Sequence, residues 1–192
     1  MVVDHEARRR RIAEATAAVT AREGLEAATI RRIAAELGGP TKLVTYYFAD
    51  KQELLLFTYV HLAQQYLHEV TAHDPADIIG ILMSMAATDP RSVIRWRFYL
   101  AFWDHAARSP AFAELQRSHT QRALSHIASV IRAHAGEHAD VENISLILNA
   151  LVQGLSLQAL ADPAHWSGER IRSALTEIVA LLLAGPLKTP QA

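Results

Sequence analysis

The chain has 192 residues, 51% hydrophobic and 20% charged, with a formal net charge of −1. This length suits one or two small domains with a real buried core. The chain contains no cysteine, which excludes a disulfide framework, thiolate chemistry and cysteine-based metal sites. The N-terminus lacks an apolar signal core, and no uninterrupted apolar run approaches membrane-spanning length. We therefore expect a cytoplasmic protein without a membrane partner.

The small net charge hides an uneven distribution along the chain. Residues 1–52 carry nine Lys and Arg against seven Asp and Glu, a balance of +2, and residues 53–192 carry ten against thirteen, a balance of −3. The positive charge is concentrated in the run Arg8-Arg9-Arg10-Arg11. Such a run at the start of a helix can lie along phosphates and give salt-sensitive affinity for nucleic acid. The alternative is a solvated helix end.

The first part of the chain predicts short helices around a turn. After a frayed tail over residues 1–5, helix 1 is predicted over about 6–22 and ends at Gly24. Helix 2 follows Thr29, an N-cap residue, and Gly38 stands where a left-handed residue ends it. Its apolar side chains recur at i, i+3, i+4 and i+7, the spacing of one helical face: Ile30, Ile33, Ala34 and Leu37.

Helix 3 is predicted to begin at Pro40, because proline at the first helical position loses no hydrogen bond. It turns Val44 and Phe48 inward and leaves a donor-rich, carboxylate-free set on the opposite side: Thr41, Lys42, Thr45 and Tyr46. A major groove admits a helix with such a face, although ordinary helical hairpins share this spacing. Arg31 opens helix 2, and Lys51 stands at the start of the next helix, where an ammonium can meet a phosphate.

Residues 6–55 resemble the DNA-binding domain of the tetracycline-repressor (TetR) family. The resemblance rests on Arg11-Ile12, Ala15, Gly24, Ala28-Thr29-Ile30-Arg31-Arg32-Ile33-Ala34, Gly38, Val44-Thr45-Tyr46-Tyr47-Phe48, Asp50-Lys51 and Glu53-Leu54-Leu55. Together with the outward face of helix 3, it predicts DNA contacts by Arg31, Thr41, Lys42, Thr45 and Tyr46, with Tyr47 and Lys51 nearer the phosphates. The chain departs from the family pattern at Gly38-Gly39-Pro40, Lys42 and Thr45, so neither the operator sequence nor a family contact at Lys42 or Thr45 transfers with the fold.

The rest of the chain is predicted to be helical, with prolines and glycines at the boundaries. Helix 4 opens at Asp50 with a capping-box partner at Glu53 and runs to about Val70. Further helices are predicted over about 75–87, 91–106, 110–135, 140–161 and 168–184, with a loose tail from about Pro186. We predict an all-α fold of about nine helices. It comprises an N-terminal three-helix helix-turn-helix DNA-binding domain over residues 6–52 and a C-terminal helical ligand-binding and dimerisation domain over residues 53–186.

Helices 8 and 9 are apolar around most of their circumference. The residues concerned are Ile144, Ile147, Leu148, Leu151, Val152, Leu155, Leu157 and Leu160, and then Ile171, Leu175, Ile178, Val179, Leu181, Leu182 and Leu183. A helix that is apolar all round is buried all round, either at the centre of the monomer or against a second copy. Gly154 and Ser156 allow close helix approach. This segment resembles the closing helices of TetR-family ligand domains, which implies a homodimer through helices 8 and 9 and a pseudo-palindromic operator.

Helix 6 concentrates aromatic residues between positions 96 and 103. With residues of helices 4, 5 and 8, this stretch gives the candidate effector contacts Phe57, His61, Tyr66, Met83, Arg95, Trp96, Tyr99, Phe102, Trp103 and Gln153. Apolar walls with a few polar groups describe a small-molecule pocket, and equally a large core with snorkelling arginines. The domain resembles the subgroup that includes the choline-responsive betaine-pathway repressors, a resemblance that does not identify the ligand.

The histidines do not predict a metal site. His134 and His138 stand at i, i+4, but Gly136 between them interrupts the helix that would align them. The other pairs, His61 with His68 and His119 with His126, are two turns apart, about 10 Å along the axis, which is too far for one zinc ion without a third element. No cofactor, phosphate-binding loop or nucleophile elbow is predicted.

The sequence therefore predicts a non-enzymatic regulator, most simply a homodimeric repressor that binds a palindromic operator. A small-molecule effector would favour one tilt of helix 4, change the distance between the two recognition helices and release the operator. Two alternatives stay open. One is a helical ligand-binding or enzyme-like protein without a DNA function, and the other is a metal-responsive regulator.

Overall fold

The computed structural model of the protein describes residues 4–106, 109–135 and 140–184, with the backbone alone for residues 104–106 and 135. Every regular element in these ranges is an α-helix. The helices are α1 (His5–Glu23), α2 (Ile30–Glu36), α3 (Lys42–Thr45), α4 (Lys51–Thr71), α5 (Ile78–Met85), α6 (Pro90–Ala106), α7 (Pro110–Ala135), α8 (Val141–Ala161) and α9 (Gly168–Leu183). The predicted all-α class is confirmed. The predicted tail from Pro186, together with Gly136 and His138, lies outside the described residues.

The helix ends in the N-terminal part follow the predicted capping residues. The hydroxyl of Thr29 accepts a hydrogen bond from the backbone N–H of Arg32 at 3.1 Å, as expected for an N-cap. Gly24 and Gly38 have φ angles of 84° and 69°, in the left-handed region that glycine adopts without strain. Asp4, predicted to lie in a frayed tail, instead caps α1 by accepting from two backbone N–H groups, so the prediction for this residue is wrong.

Two predicted helix starts differ from the structure. α3 begins at Lys42, and Pro40 precedes it in a turn whose carbonyl accepts from Leu43 N–H at 2.9 Å. α5 was expected from residue 75 but begins at Ile78, because the side chain of Asp77 caps it by accepting from Gly80 N–H at 2.7 Å. At the start of α5, the Asp77 N-cap thus outweighs Pro75, the residue on which the earlier predicted start rests.

The structure contains two compact units. The first takes in the chain up to residue 68 and residues 93–117, and the second takes in residues 69–92 and the chain from residue 118. The predicted functional boundary between residues 52 and 53 is a separate matter and stays a prediction.

The first unit has two adjoining apolar clusters. One holds α1, α2, α3 and the start of α4 together through Ile12, Ile33, Ala34, Val44, Phe48 and Leu54, all buried. The other is aromatic and includes Tyr59, Phe98, Phe102 and Phe112. In it the ring centroids of Tyr59 and Phe102 are 4.3 Å apart, and those of Phe102 and Phe112 are 4.6 Å apart.

In the second unit, α5, α8 and α9 pack together. The buried hydroxyl of Ser156 in α8 accepts from Ala87 N–H at 3.1 Å and donates to the Val152 carbonyl. The opposite sides of α8 and α9 keep large apolar residues exposed: Leu146, Ile147, Leu157 and Leu181. Within the described chain, α8 is therefore buried on one side and apolar but open on the other.

α8 is long and apolar enough to cross a membrane by length and composition alone, although polar residues such as Asn149 and Gln153 interrupt its apolar run. The core helix of a soluble protein passes the same test, and 44% of the apolar segment is buried inside the chain. Its buried face includes polar residues, among them Ser145, Asn149 and Ser156, as befits a helix packed against other helices.

Candidate functional site

The face predicted to read DNA is open to solvent. α3 is a single turn, anchored from below by Val44 and, just beyond its end, by Phe48, which are at most 1% exposed. All four members of the outward set are exposed: Thr41, Lys42, Thr45 and Tyr46. Thr41 makes no side-chain capping bond, and Tyr46 is 71% exposed. We call these four residues the recognition face.

An aromatic group adjoins the recognition face. The half-buried ring of Tyr47 lies 4.9 Å from the ring of Tyr46 and 4.6 Å from the imidazole of His5, which opens α1. Sequence reasoning missed His5 because it assigned residues 1–5 to a frayed tail. The Asp4 cap, an aspartate followed by a helical run, was the signal that places His5 on an ordered turn.

The two neighbouring arginines of α2 differ in their surroundings. Arg31 is exposed. Arg32 pairs with Glu23 at 2.6 Å and Glu36 at 3.0 Å, and Arg22 pairs with the same Glu36 at 2.9 Å. These hydrogen bonds, from Arg32 to Glu23 and from Arg22 to Glu36, lower the pKa of both carboxyl groups. Of the two arginines, Arg31 is therefore the one with a guanidinium open for a new partner.

Lys51, predicted near a phosphate, already has a partner in the protein. Its Nζ donates to the backbone carbonyl of Leu25 at 2.6 Å. This bond joins the first turn of α4 to the loop after α1, and Leu25 itself packs on the aromatic cluster. An ammonium has three protons, so the carbonyl bond and the predicted phosphate contact can coexist.

The structure distributes the basic run unevenly. Arg10 and Arg11 are exposed and Arg8 is half-buried. Arg9 turns inward: its guanidinium carbon lies over the rings of Phe48 and Phe57. The run as a whole therefore does not present four equivalent cations to solvent.

Among the candidate effector residues, those of α6 are mostly buried. Trp96, Tyr99 and Phe102 are at most 8% exposed, as is Tyr66 of α4. The guanidinium of Arg95, itself 5% exposed, lies 5.1 Å from the ring centroid of Tyr66. Burial raises the pKa of Tyr66, and the charge of Arg95 opposes the rise. The structure thus brings Tyr66 and Arg95 into direct contact.

The other α6 candidates extend this aromatic set. The Trp96 and Trp103 rings meet edge to face with centroids 5.9 Å apart. The indole N–H of Trp103 is buried and finds no hydrogen-bond partner among the described residues. Phe102, in contrast, is 0% exposed at the centre of the aromatic cluster. Its place there is that of a core residue.

Phe57 and His61 lie elsewhere in the first unit, against α1. Their rings stack with an interplanar angle of 8°, and Nε2 of His61 is 3.6 Å from a carboxylate oxygen of Glu14. Burial lowers the pKa of His61, and the nearby Glu14 opposes this. Phe57 packs against the helix-turn-helix cluster. The predicted effector residues thus form more than one group.

Met83 and Gln153 belong to the second unit, where each is half-buried. That unit also has a groove of about 630 Å³ between α7 and α8. Its walls combine apolar Leu124, Ala128 and Leu146 with polar groups that include Arg132. No predicted effector residue lines it.

No group of three or more His, Asp or Glu side chains in the described ranges is arranged to hold a metal ion. His134, one of the histidines considered for a metal, instead contacts two backbone carbonyl oxygens, those of Val130 at 2.9 Å and Ala76 at 2.8 Å. Both ring nitrogens of His134 are therefore engaged within the protein, which leaves neither for a metal.

Most of the chain is similar in sequence to known transcriptional regulators. Among relatives, the transcriptional regulator PksA of Bacillus subtilis is 27% identical over 190 residues, covering 92% of this chain and 90% of PksA. The regulator BetI of Vibrio campbellii is 27% identical over 179 residues, 87% of either chain.

The fold is also similar to solved structures of transcriptional regulators. A transcriptional regulator from Rhodococcus aligns with a TM-score of 0.83 at 26% identity, over 98% of this chain and 100% of that one. A regulator from Saccharomonospora viridis, solved in complex with choline, aligns with a TM-score of 0.82 at 23% identity, over 91% of this chain and 96% of that one. At that identity the second alignment shows the shared fold.

Two family profiles cover most of the chain. Residues 12–56 match the bacterial regulatory proteins of the tetR family, and residues 78–184 match the C-terminal domain of BetI-type transcriptional repressors. The second match alone exceeds half of the chain. With the exposed recognition face on a helix-turn-helix, these matches establish that the chain belongs to the TetR family of DNA-binding transcriptional regulators, has a BetI-type C-terminal domain, and is not an enzyme.

Proposed function

We propose that the protein is a cytoplasmic, homodimeric repressor that binds a pseudo-palindromic operator and leaves it when a small effector binds. The observation that carries the proposal is the recognition face, four exposed side chains without a carboxylate on a helix held by buried Val44 and Phe48. TetR-family regulators bind DNA operators and small-molecule effectors. For this chain we further propose a homodimer, DNA contacts by named residues, and release of the operator after the effector binds.

The chemistry of the recognition face suits the edges of base pairs. The Lys42 ammonium can donate to guanine O6 and N7, and the hydroxyls of Thr41 and Thr45 can serve either as donors or as acceptors. Tyr46, 71% exposed, adds an aromatic ring to the set. Arg31, open on the neighbouring helix, adds a further donor. Tyr47 and Lys51 are assigned to the phosphate backbone, which positions a protein on the duplex without reading its sequence.

The exposed apolar sides of α8 and α9 support the dimer. Leu157 and Leu181, for example, are 46% and 59% exposed, and apolar side chains of this size on adjoining helices favour association with another surface. A second copy is the proposed partner, because two-fold pairing places two recognition helices on one duplex. Gly154, exposed and with open space around its Cα, lets the backbones approach closely.

A single substitution tests the dimer. Leu157→Glu places a charge on the exposed apolar side of α8 and should convert a dimer into monomers in analytical ultracentrifugation. Gln158→Glu is the matched control, because Gln158 is also exposed on α8 but polar, and it should leave the dimer intact. A wild type that sediments as a monomer at micromolar concentration would remove the dimer from the proposal.

The buried aromatic set of α4 and α6 supports effector binding. Tyr66, Trp96 and Trp103 give apolar walls, and the buried indole N–H of Trp103 is a donor that lacks a partner among the described residues. Choline is the first probe, because a regulator of the same fold was solved with choline bound. In the proposed mechanism the effector favours one tilt of α4, whose 21 residues span about 30 Å, and the tilt moves the recognition helices apart.

Operator binding is tested by selecting duplex fragments from a random pool and measuring their affinity across salt concentrations. We expect enriched fragments with two-fold symmetry, and we expect Lys42→Glu to abolish their binding while the fold is kept. If no sequence is enriched, even at low ionic strength, the proposal that the protein binds a specific operator is wrong. Choline and a small-molecule library are then tested for release of the selected fragment. If saturating bound ligand leaves the affinity for DNA unchanged, effector release fails while DNA binding stands.

A further inference from the structure

Arg9 differs from the other arginines of its basic run. Arg10 and Arg11 are exposed, whereas the Arg9 side chain is 24% exposed and its Nε is fully buried. Arg9 stands three residues before Ile12, which is 0% exposed in the helix-turn-helix cluster. The helical period therefore turns Arg9 toward the inside of the first unit.

The Arg9 guanidinium lies between two aromatic rings from different elements. Its central carbon is 4.6 Å from the ring centroid of Phe48, which follows α3, and 4.4 Å from that of Phe57 in α4. The two phenyl rings themselves meet edge to face at 5.3 Å. A guanidinium is planar and weakly hydrated, so it can stack on rings and still donate from its edge. An ammonium lacks the planar face that stacks between two rings.

The edge of the guanidinium reaches the carboxylate of Glu53. Nη2 of Arg9 is 3.0 Å from Oε1 of Glu53. The other carboxylate oxygen accepts from the backbone N–H of Ala49 at 2.8 Å, and the N–H of Glu53 donates to Asp50 at 2.8 Å. The Glu53 carboxylate, in the first turn of α4, therefore links Arg9 of α1 to the backbone of Ala49. Ala49 lies in the segment that leaves α3, the recognition helix.

A looser contact between the same helices lies further along α4. Phe57, whose ring contacts Arg9, is followed one turn later by His61, with ring centroids 6.4 Å apart. Nε2 of His61 is 3.6 Å from a carboxylate oxygen of Glu14 in α1, which is beyond hydrogen-bond distance. The hydrogen-bonded attachment of α4 to α1 is therefore the one through Arg9 and Glu53, and it includes the exit of α3 through Phe48 and Ala49.

We propose that Arg9 is a positioning residue: it locks the exit of the recognition helix, the first turns of α4 and α1 into one body, and it does not contact phosphate. The inference rests on the proposed operator binding, in which α4 must carry motion to the recognition face. With the lock in place, any displacement of the first turns of α4 moves the recognition face with it. Without the lock, the recognition helix rocks on Val44 and Phe48 and the displacement is partly lost.

Two substitutions of Arg9 separate positioning from a phosphate contact. Arg9→Lys keeps the charge and loses the planar stack, and Arg9→Gln loses both. The probe is the duplex fragment selected for the wild type. Both variants should bind it more weakly, by up to about tenfold, because without the stack on Phe48 and Phe57 the recognition helix occupies its binding position for a smaller fraction of the time, and the slope of affinity against salt should not change. A phosphate contact would instead let Lys rescue the affinity and would lower the slope by about 0.9 per contact in Arg9→Gln; either result overturns the proposal.

Hydrogen exchange without DNA gives an independent readout. In Arg9→Lys and Arg9→Gln, the backbone amides of residues 42–50 should exchange faster than in the wild type. Arg10→Gln makes the same charge change on the neighbouring exposed side chain and should leave their exchange unchanged. This experiment decides the role of Arg9 even if the wild type selects no duplex, an outcome that would count against the proposed function alone.

A purely structural role gives a third pattern. In that case the Arg9 variants would melt at a lower temperature, while the exchange of residues 42–50 well below melting, and the affinity of the folded protein for the duplex, would match the wild type. That pattern would also overturn the proposal. Far-UV circular dichroism at the assay temperature verifies that each variant is folded when it is compared.

Discussion

Removing the charge of Lys42, on the recognition face, and of Lys51, at the start of α4, should affect stability and DNA binding differently. Lys51 donates to the carbonyl of Leu25 at 2.6 Å from a half-buried position, whereas Lys42 is exposed on the recognition face. Methionine keeps most of the length and apolar surface of either side chain. Lys51→Met should therefore lower both the free energy of unfolding and the affinity for DNA, while Lys42→Met should lower the affinity alone.

The size of the stability effect follows from the hydrogen bond. A bond to a charged group contributes about 1.5–3 kcal/mol, and the partial exposure of Lys51 places this one near the lower end, about 1.5 kcal/mol. For a chain of this length, 1 kcal/mol corresponds to about 2–4 °C in the melting temperature. We therefore expect Lys51→Met to melt about 3–6 °C lower. A surface change such as Lys42→Met should stay within about 0.5 kcal/mol of the wild type.

Differential scanning calorimetry of the wild type and both variants measures this contrast, with duplex binding of each protein measured in parallel. A Lys51→Met protein that melts within about 1 °C of the wild type would refute the structural role of the Leu25 carbonyl bond. A Lys42→Met protein that melts as low as Lys51→Met would show that the recognition helix depends on its outward side chains.

Three other substitutions test separate features. Both ring nitrogens of His134 face carbonyl oxygens, of Val130 at 2.9 Å and Ala76 at 2.8 Å, and both can donate only when the ring is protonated, so these bonds raise the pKa of His134 above its usual value. The wild type should therefore lose stability relative to His134→Gln as the pH rises through that raised pKa in thermal scans, and parallel pH profiles would contradict this. Phe102→Ala should cost about 3–5 kcal/mol in urea unfolding, because Phe102 is fully buried, and a cost below about 1 kcal/mol would disprove its place in the core. Gly38→Ala should cost about 1–2 kcal/mol in the same assay because φ is 69°, and an unchanged midpoint would contradict that backbone geometry.

The elements that were predictable from the sequence are those governed by local signals. Helix caps depend on contacts within one helical turn, and the structure confirms the predicted caps Gly24, Thr29 and Gly38. The predicted start of α5 is wrong because two local signals, Pro75 and Asp77, compete there. The hydrogen bond from Gly80 N–H to the Asp77 side chain decides the outcome. The sequence alone does not show which of the two residues starts the helix.

The contacts of the site residues could not be predicted from the sequence, because their partners lie far away along the chain. The phase of α1 places Arg9 inside, a signal available from its spacing to Ile12, but its partners Glu53 and Phe57 are more than forty residues distant. In the same way, the aromatic residues of α6 are compatible with a pocket and with a core until their neighbours are known. The structure gives Phe102 to the core and brings Arg95 onto Tyr66.

The brevity of α3 has a consequence for how the protein evolves. A four-residue helix has no stability of its own, so its shape is set by the inward anchors Val44 and Phe48. The side chains of Thr41, Lys42 and Thr45 take no part in that anchoring and can be exchanged without repacking anything beneath them, whereas Tyr46 also contacts the half-buried ring of Tyr47. Duplicated copies of such a gene can therefore drift to new target promoters through a few point mutations at these three positions.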